Sequence, residues 1–213
     1  MLLIRDVLSA EDLSALAGEL DTLVWKPGAR TARGEARKVK SNRQARGAEG
    51  PAAFVQAALE RHPLVRSYAR PARFGPILFA RYAAGMGYGD HIDEPMMGQG
   101  PARIRTDLSF TVFLADPDAY AGGELVIDLP GGVQSVKLRA GEAVLYPSGA
   151  IHRVDPVTQG RRDVAVGWIQ SLIPDAGARE TLFDLARARS APDAAGLLLA
   201  KVEADLMRRW AQP

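Results

Sequence analysis

The chain has 213 residues, of which 47% are hydrophobic and 24% are charged, and its formal net charge at pH 7 is +2. This balance is typical of a globular protein with one main domain and excludes a disordered or fibrous chain. Because the chain has no cysteine, disulfides, thiolate zinc sites and cysteine nucleophiles are excluded, and a metal site must use histidine and carboxylate ligands.

The first residues of the chain contain only a four-residue apolar run before Arg5 and Asp6. This run is too short for a secretory signal, and no apolar stretch in the sequence is long enough to span a bilayer. We therefore expect a cytoplasmic protein without a membrane partner.

The sequence predicts a helical N-terminal region, 1–72, that supports the core. Ser9 can cap a first helix, whose apolar stripe is formed by Leu13, Leu16, Leu20 and Leu23. A second helix is predicted to start after Pro51 and to stop near His62 and Pro63, which makes His62 a structural residue.

A basic segment, 26–46, lies within this region. It contains one acidic residue, Glu35, and eight basic residues: Lys26, Arg30, Arg33, Arg37, Lys38, Lys40, Arg43 and Arg46. Such a segment is typical of a solvated surface. A strip that faces a substrate or a nucleic acid is the alternative.

The middle region, 73–174, is predicted to be the core, built from short strands. Apolar residues at 108, 110, 112 and 114 alternate with the residues between them, a period of two. A hairpin is predicted for 124–129 and 133–138 around Pro130, and further strands for 143–146, 152–157 and 163–170. Strands at this spacing indicate a sandwich or barrel, with the jelly roll as the leading candidate.

The C-terminal region, 175–213, is predicted to be helical. One amphipathic stripe consists of Leu182, Leu185 and Ala186, and a second of Leu197, Leu198, Val202, Leu206 and Trp210. These helices are expected either to cover one sheet or to form a contact between subunits of a homo-oligomer. The fold class is thus α+β with a mainly β core and helices on both flanks.

A candidate metal site starts from His91 and Asp93, which stand two residues apart and share one face of an extended segment. A His-x-Asp pair arises easily by chance, so a third ligand is needed. His152 is the candidate, although a hydrogen-bonded strand histidine is an alternative role for it. Two histidines and one aspartate on one face form the facial triad of non-haem Fe(II) oxygenases, which leaves coordination positions open.

Arg162, ten positions beyond His152, strengthens this hypothesis. It opens a predicted strand and shares one face with Val164, Val166 and Trp168, whereas Arg161 lies on the other face. An arginine among apolar neighbours on an inward face needs an anion. Its guanidinium can pair with the second carboxylate of a dicarboxylate cosubstrate that chelates iron.

Tyr82 and Tyr88 lie shortly before His91, and each can either donate a hydrogen bond to a carboxylate or pack in the core. Tyr82 is the better candidate for touching the cosubstrate. Gly85, Gly87 and Gly89 are predicted to form a flexible rim, because no βαβ unit surrounds them.

Taken in order, these motifs resemble those of the PKHD-type hydroxylases, bacterial relatives of the prolyl and lysyl hydroxylases that include the PiuC-like proteins. The similarity covers 81–82, 88–93, 107–114, 122–125, 152–154, 162 and 168–171, and extends to 25–44 and the C-terminal tail. It implies a double-stranded β-helix (jelly roll) core with Fe(II) on His91, Asp93 and His152. It also implies 2-oxoglutarate on Arg162, O2 as oxidant, and L-ascorbate (vitamin C) as an accessory reductant.

The expected activity is the hydroxylation of an unidentified small molecule or peptide with release of succinate and CO2. Residues expected to line the substrate pocket are Tyr88, Trp168, Lys40 and Asn42. Two alternatives are a cupin-like metal protein or isomerase that uses no oxygen, and a non-catalytic iron-responsive binding protein. A nucleic-acid demethylase would share the proposed chemistry.

Overall fold

A computed structural model describes residues 1–31, 34–189 and 196–212 of the chain. The helices are α1 (Ala10–Asp21), α2 (Gly34–Lys38), α3 (Glu49–Arg61), α4 (Pro63–Ala69), α5 (Ala176–Arg189) and α6 (Gly196–Trp210). None of these described helices combines the length and the apolar character needed to cross a bilayer.

Strands make up most of the remaining structure. The first eight are β1 (Leu2–Ile4), β2 (Val24–Pro27), β3 (Lys40–Ser41), β4 (Arg43–Arg46), β5 (Pro71–Phe74), β6 (Leu78–Ala83), β7 (Gly87–His91) and β8 (Met96–Met97). The others are β9 (Ile104–Arg105), β10 (Leu108–Phe113), β11 (Tyr120–Gly122), β12 (Leu125–Leu129), β13 (Gly132–Val136), β14 (Ala143–Pro147), β15 (His152–Val154) and β16 (Val157–Ser171).

The strands form two large antiparallel sheets. The major sheet has nine strands in the order β1-β14-β10-β16-β6-β4-β2, with β5 and β11 also paired to β16. The minor sheet has five strands in the order β13-β12-β15-β7-β3, and β8 pairs with β9 in a separate hairpin. This mixture of helices with a large antiparallel sheet agrees with the predicted α+β class.

The outer face of the major sheet packs against the N-terminal helices. Phe79, Phe110 and Ile169 of the sheet share one buried cluster with Leu16 of α1 and Leu59 of α3. Strand β10 shows the predicted period of two, because Leu108, Phe110 and Val112 belong to this cluster. The other face of β10 is also buried, and it turns Ser109 and Thr111 toward the second sheet.

A second cluster lies between the two sheets. Tyr82, Phe113 and Val164 of the major sheet meet Leu125 and Val154 of the minor sheet. The predicted hairpin is confirmed, since β12 pairs with β13 with Leu129 opposite Gly132. The predicted strand 152–157 ends early, at Val154, because Pro156 cannot donate a ladder hydrogen bond, and β16 then runs for 15 residues instead of eight.

The prediction that the N-terminal third is helical was wrong for four segments, because β1 to β4 all join a sheet. These strands have two to four residues each and are mostly exposed, so their sequence shows no apolar period. Helix α4 was also missed: Pro63 ends α3 but occupies the first turn of α4. His62 caps α4 by accepting a hydrogen bond from the Leu64 amide, which is a structural role.

The C-terminal helices pack on their own chain. Leu182 of α5 is buried with Ile173, and Leu206 and Trp210 of α6 pack against them. The predicted α6 stripe was wrong for Leu197, which is 85% exposed, while the side chain of Leu198 lies outside the described residues. This cluster contains no residue of either sheet, so the predicted roles of these helices, covering a sheet or joining subunits, stay predictions. The boundaries at 72 and 174 stay predictions.

Candidate active site

Three predicted ligands come together at one end of the two sheets. His91 ends β7 and His152 begins β15, and the two residues are directly opposite each other in this antiparallel pair. Asp93 follows β7 by two residues, and its Oδ2 lies 3.8 Å from Nε2 of His152. One ligand atom from each residue lies within 4.8 Å of the others, a spacing that fits a single metal ion.

Hydrogen bonds orient each of these side chains. Nδ1 of His91 lies 2.8 Å from the Gly89 carbonyl oxygen, and Nδ1 of His152 lies 2.9 Å from that of Ala150. A carbonyl only accepts, so both histidines carry the proton on Nδ1, and both Nε2 lone pairs are free for a metal. The Ser109 hydroxyl donates to Oδ2 of Asp93 at 2.5 Å.

Burial and stacking keep His91 in the neutral form that a metal requires. Desolvation by burial lowers its pKa to about 4, and the neighbouring His152 acts in the same direction. The ring of Tyr88 stacks on the His91 ring with centroids 3.6 Å apart. Tyr146 meets His152 edge-on at 5.1 Å. The two imidazoles are thus held by aromatic neighbours as well as by hydrogen bonds.

Arg162 is a buried cation in the same site. It is 1% exposed, its Nε has no hydrogen-bond partner, and it forms no ion pair within the parts of the chain that the structure describes. Its guanidinium lies over Tyr82, 5.1 Å from the ring centroid. Since burying an unpaired charge is costly, this geometry fits an anionic ligand. Arg161, in contrast, is exposed and pairs with Asp163 at 3.1 Å.

A cavity of about 810 Å³ connects these groups. Its wall includes all nine residues that the sequence predicted to bind the metal, the cosubstrate or the substrate, namely Lys40, Asn42, Tyr82, Tyr88, His91, Asp93, His152, Arg162 and Trp168. Burial raises the pKa of the Tyr82 hydroxyl, against smaller opposite effects of the neighbouring Arg162 and Asn42. The cavity therefore contains a candidate metal site, a candidate carboxylate site and additional space beside them.

Sequence reasoning missed the polar residues of β10 and β14 that support the cluster. Besides bonding to Asp93, the Ser109 hydroxyl lies 2.9 Å from that of Ser148, and Thr111 and Tyr146 line the same cavity. The period-two pattern of β10 places Ser109 and Thr111 on one face of the strand. The prediction used only the apolar residues of the opposite face, and therefore assigned no role to these two hydroxyl residues.

The basic segment 26–46 divides into two parts. Lys40 lines the cavity, whereas Lys26, Arg30, Arg37, Lys38, Arg43 and Arg46 are exposed. Arg33 lies outside the described residues. Exposure of the six agrees with the prediction of a solvated surface.

Two histidines and an aspartate beside a buried arginine are a residue set typical of mononuclear non-haem iron oxygenases. The sequence pattern of the 2OG-Fe(II) oxygenase superfamily matches residues 77–170. A PKHD-type hydroxylase of Hyphomonas neptunium is 46% identical over an alignment of 221 residues that covers 99% of each chain. A PKHD-type hydroxylase of Acaryochloris marina is 43% identical over all of both chains. The chain belongs to the PKHD-type hydroxylases, and it is a 2-oxoglutarate- and Fe(II)-dependent hydroxylase.

Solved structures show the same fold. A prolyl-4-hydroxylase of Pseudomonas putida superimposes with a TM-score of 0.55 at 20% identity, covering 80% of this chain and 91% of that one. A prolyl hydroxylase of Trichoplax adhaerens, solved with a peptide of hypoxia inducible factor, gives a TM-score of 0.59 at 18% identity. The superposition covers 87% of this chain and 86% of that one. Such 2-oxoglutarate oxygenases have a jelly-roll fold, in agreement with the two facing sheets.

Proposed function

We propose that His91, Asp93 and His152 hold Fe(II), that Arg162 holds the C5 carboxylate of 2-oxoglutarate, and that the site hydroxylates a small molecule or a peptide. The observation that carries this proposal is the buried, unpaired guanidinium of Arg162 in the same cavity as the metal cluster. Without an anion its burial has no compensation.

The three ligands suit Fe(II) that must keep free coordination positions. Both imidazoles direct Nε2 to the metal because Nδ1 is engaged by a backbone carbonyl. The Ser109 hydroxyl donates to Oδ2 of Asp93 and holds this carboxylate in its orientation. A metal with three protein ligands on one side retains positions for a chelating keto acid and for O2.

Arg162 and Tyr82 form the carboxylate site. A guanidinium can donate two parallel hydrogen bonds to one carboxylate, and the fixed fork of Arg162 favours that geometry. Burial raises the pKa of Tyr82, so its hydroxyl keeps the proton that it donates. Asn42, which is buried, lines the cavity together with both residues.

Bound Fe(II) and 2-oxoglutarate supply an oxidative decarboxylation that consumes O2, releases succinate and CO2, and adds a hydroxyl group to the substrate. The residues of this chain provide placement and exclude water. Tyr88 shields one face of His91, and Trp168, which is paired with Ser109 across β10 and β16, forms another part of the cavity wall. L-ascorbate serves as an accessory reductant that keeps the iron ferrous.

The test is an anaerobic titration of the protein with Fe(II) and 2-oxoglutarate, monitored by the visible charge-transfer band of the chelate. Addition of O2 is followed by a succinate assay. We expect a band in the wild type, none in His152→Ala, and a much weaker 2-oxoglutarate response in Arg162→Ala. Arg161→Ala is the matched control, because this exposed neighbour should leave the band unchanged. No band in the wild type, or a full band in His152→Ala, contradicts the iron assignment.

The same assay separates the alternatives. A cupin-like protein or an isomerase that uses no oxygen would form no succinate, and a non-catalytic binding protein would tolerate Arg162→Ala. Membership in a hydroxylase family favours the oxygenase over both. For a nucleic-acid demethylase, salt-sensitive binding of an oligonucleotide through the basic segment is the required observation.

A further inference from the structure

We propose that the substrate carries a carboxylate that pairs with Lys40, so that one cavity binds two carboxylates, one from 2-oxoglutarate and one from the substrate. This inference rests on the proposed function and adds the chemical class of the substrate. The observation behind it is a half-buried ammonium group that lines the cavity without an acidic partner.

The backbone of β3 fixes the position of Lys40. Lys40 pairs with Tyr88 across β3 and β7, and its Nζ lies 5.0 Å from the centroid of the Tyr88 ring. Nζ also donates to the Thr31 hydroxyl at 3.1 Å. Because the Tyr88 ring stacks on His91, the ammonium group lies one aromatic ring away from a metal ligand.

The other charged groups of the cavity already have a partner or solvent. Glu35 pairs with Lys38 at 2.7 Å, and Asp90 lies 3.7 Å from Arg153. Asp93 is assigned to the metal, and Glu94 is exposed to solvent. Among the described residues, no carboxylate pairs with Lys40. The cavity therefore offers one cation that neither the fold nor the cosubstrate neutralises.

The contacts of Lys40 do not replace its lost hydration. An ammonium group has three donors, and Thr31 accepts only one of them. Desolvation by burial lowers the pKa of Lys40 to about 8, against a smaller opposite effect of Asp93. A ligand carboxylate would fill the remaining donors and balance the single charge. A phosphate would leave part of its charge uncompensated by a single cation.

Lys40 is not an additional anchor for 2-oxoglutarate. Arg162 lies on β16 of the major sheet beside Tyr82, whereas Lys40 lies on β3 of the minor sheet beside Tyr88. The two cations thus belong to opposite walls of the cavity.

Apolar side chains next to this wall suit the remainder of the substrate. The rim contains three exposed apolar residues, Ile92 (59% exposed), Met96 (41%) and Ile151 (50%). A substrate that joins a carboxylate to an apolar body would cover these side chains and place a C–H bond at the metal. This combination identifies an amphipathic carboxylic acid or a peptide segment that bears one.

The experiment compares matched acids and amides as probes: N-acetyl-leucine, N-acetyl-methionine and N-acetyl-proline, each with its carboxamide. Binding to the anaerobic Fe(II)·2-oxoglutarate protein is measured at pH 7 by paramagnetic broadening of the probe protons in NMR spectra. Since a hydrogen bond to a charged group contributes about 1.5–3 kcal/mol, we expect at least one acid to bind about tenfold or more tightly than its amide.

Lys40→Met removes the charge but keeps an unbranched chain, and it should abolish this preference while the charge-transfer band stays unchanged. Lys26→Met is the matched control, because Lys26 is exposed and is not among the residues that line the cavity, and it should keep the preference. Equal binding of acid and amide throughout the wild-type set, or a preference that survives Lys40→Met, overturns the proposal. The charge-transfer band of the wild type is recorded before any probe is added. Its absence would refute the iron assignment rather than the role of Lys40.

Discussion

His152 faces His91 across an antiparallel strand pair, and their ring centroids lie 4.2 Å apart. Opposed residues of such a pair project to the same face of a sheet. A shift of one residue in the pairing of β7 and β15 would turn His152 to the other face. The register of β7 and β15 therefore brings the two histidines of the metal cluster together. Residues that hold the ligands in place can be substituted while the ligands themselves are kept.

Ser109→Ala should weaken metal binding without removing a ligand. The Ser109 hydroxyl donates to Oδ2 of Asp93 at 2.5 Å, so its loss leaves the carboxylate free to rotate. Loss of such a supporting hydrogen bond typically reduces metal affinity by about 10- to 100-fold. Anaerobic titration with Fe(II) in the presence of 2-oxoglutarate measures the change. Ser135→Ala, at an exposed position of β13, should bind iron normally, and equal affinities for the two variants would refute the role of Ser109.

Arg162→Met should stabilise the protein in the absence of 2-oxoglutarate. The wild-type guanidinium is buried without an ion-pair partner in the described chain, and methionine fills the same space without a charge. We expect the free energy of unfolding to rise by about 1–3 kcal/mol, as measured by urea denaturation.

The same variant should lose its stabilisation by 2-oxoglutarate. A ligand at 100 times its Kd stabilises the native state by about 2.7 kcal/mol, and this increase should be seen for the metal-loaded wild type but not for Arg162→Met. Arg161→Met should retain it. If Arg162→Met unfolds more easily than the wild type, the guanidinium has a structural partner and the carboxylate assignment fails.

The ligand set could be predicted from the sequence because its residue types are rare. With three histidines and no cysteine, few combinations were available for a metal site. Arg162 stood out because it interrupts an apolar face of a strand. The three ligands and Arg162 do line one cavity. Because histidine is rare in this chain and an arginine is rare on an apolar face, these residues could be selected from the sequence without knowledge of the fold.

Other parts of the site depend on tertiary contacts that leave no pattern in the sequence. Ser109 is one of many hydroxyl residues, and only the pairing of β10 with β14 and β16 shows that it faces Asp93. Strand β3, with two residues, is too short to have a period, although it positions Lys40. In α6, the face that packs was decided by α5 and Ile173 rather than by hydrophobicity, and Leu197 was therefore assigned incorrectly.

Gly28→Ala should damage the carboxylate site from outside the cavity. A Cβ at this buried position would lie 1.8 Å from Oδ1 of Asn42, so the Asn42 side chain, which lines the cavity, must move. We expect a loss of about 1–3 kcal/mol in the free energy of unfolding and a higher KM for 2-oxoglutarate, measured by urea denaturation and succinate formation.

Gly18→Ala is the control for this substitution. No atom lies within 4 Å of a Cβ at Gly18 in α1, and alanine should stabilise the helix by about 0.5–1 kcal/mol. The free energy of unfolding should fall in Gly28→Ala and rise in Gly18→Ala. An unchanged KM in Gly28→Ala would show that the position of Asn42 does not affect the binding of 2-oxoglutarate.

The preference for a carboxylate over its amide should fall as the pH rises through 8. The pKa of Lys40 is lowered to about 8 by burial, so the ammonium group that attracts the carboxylate is mostly present at pH 7 and mostly lost at pH 9. Other groups on this wall keep their form over that range, because the pKa of His91 is lowered to about 4 and burial raises that of Tyr88. Arg162 stays protonated, so the 2-oxoglutarate band should change little. The same acid and amide probes, titrated from pH 6.5 to 9.5, measure the midpoint, and a preference independent of pH would exclude Lys40 as the cation.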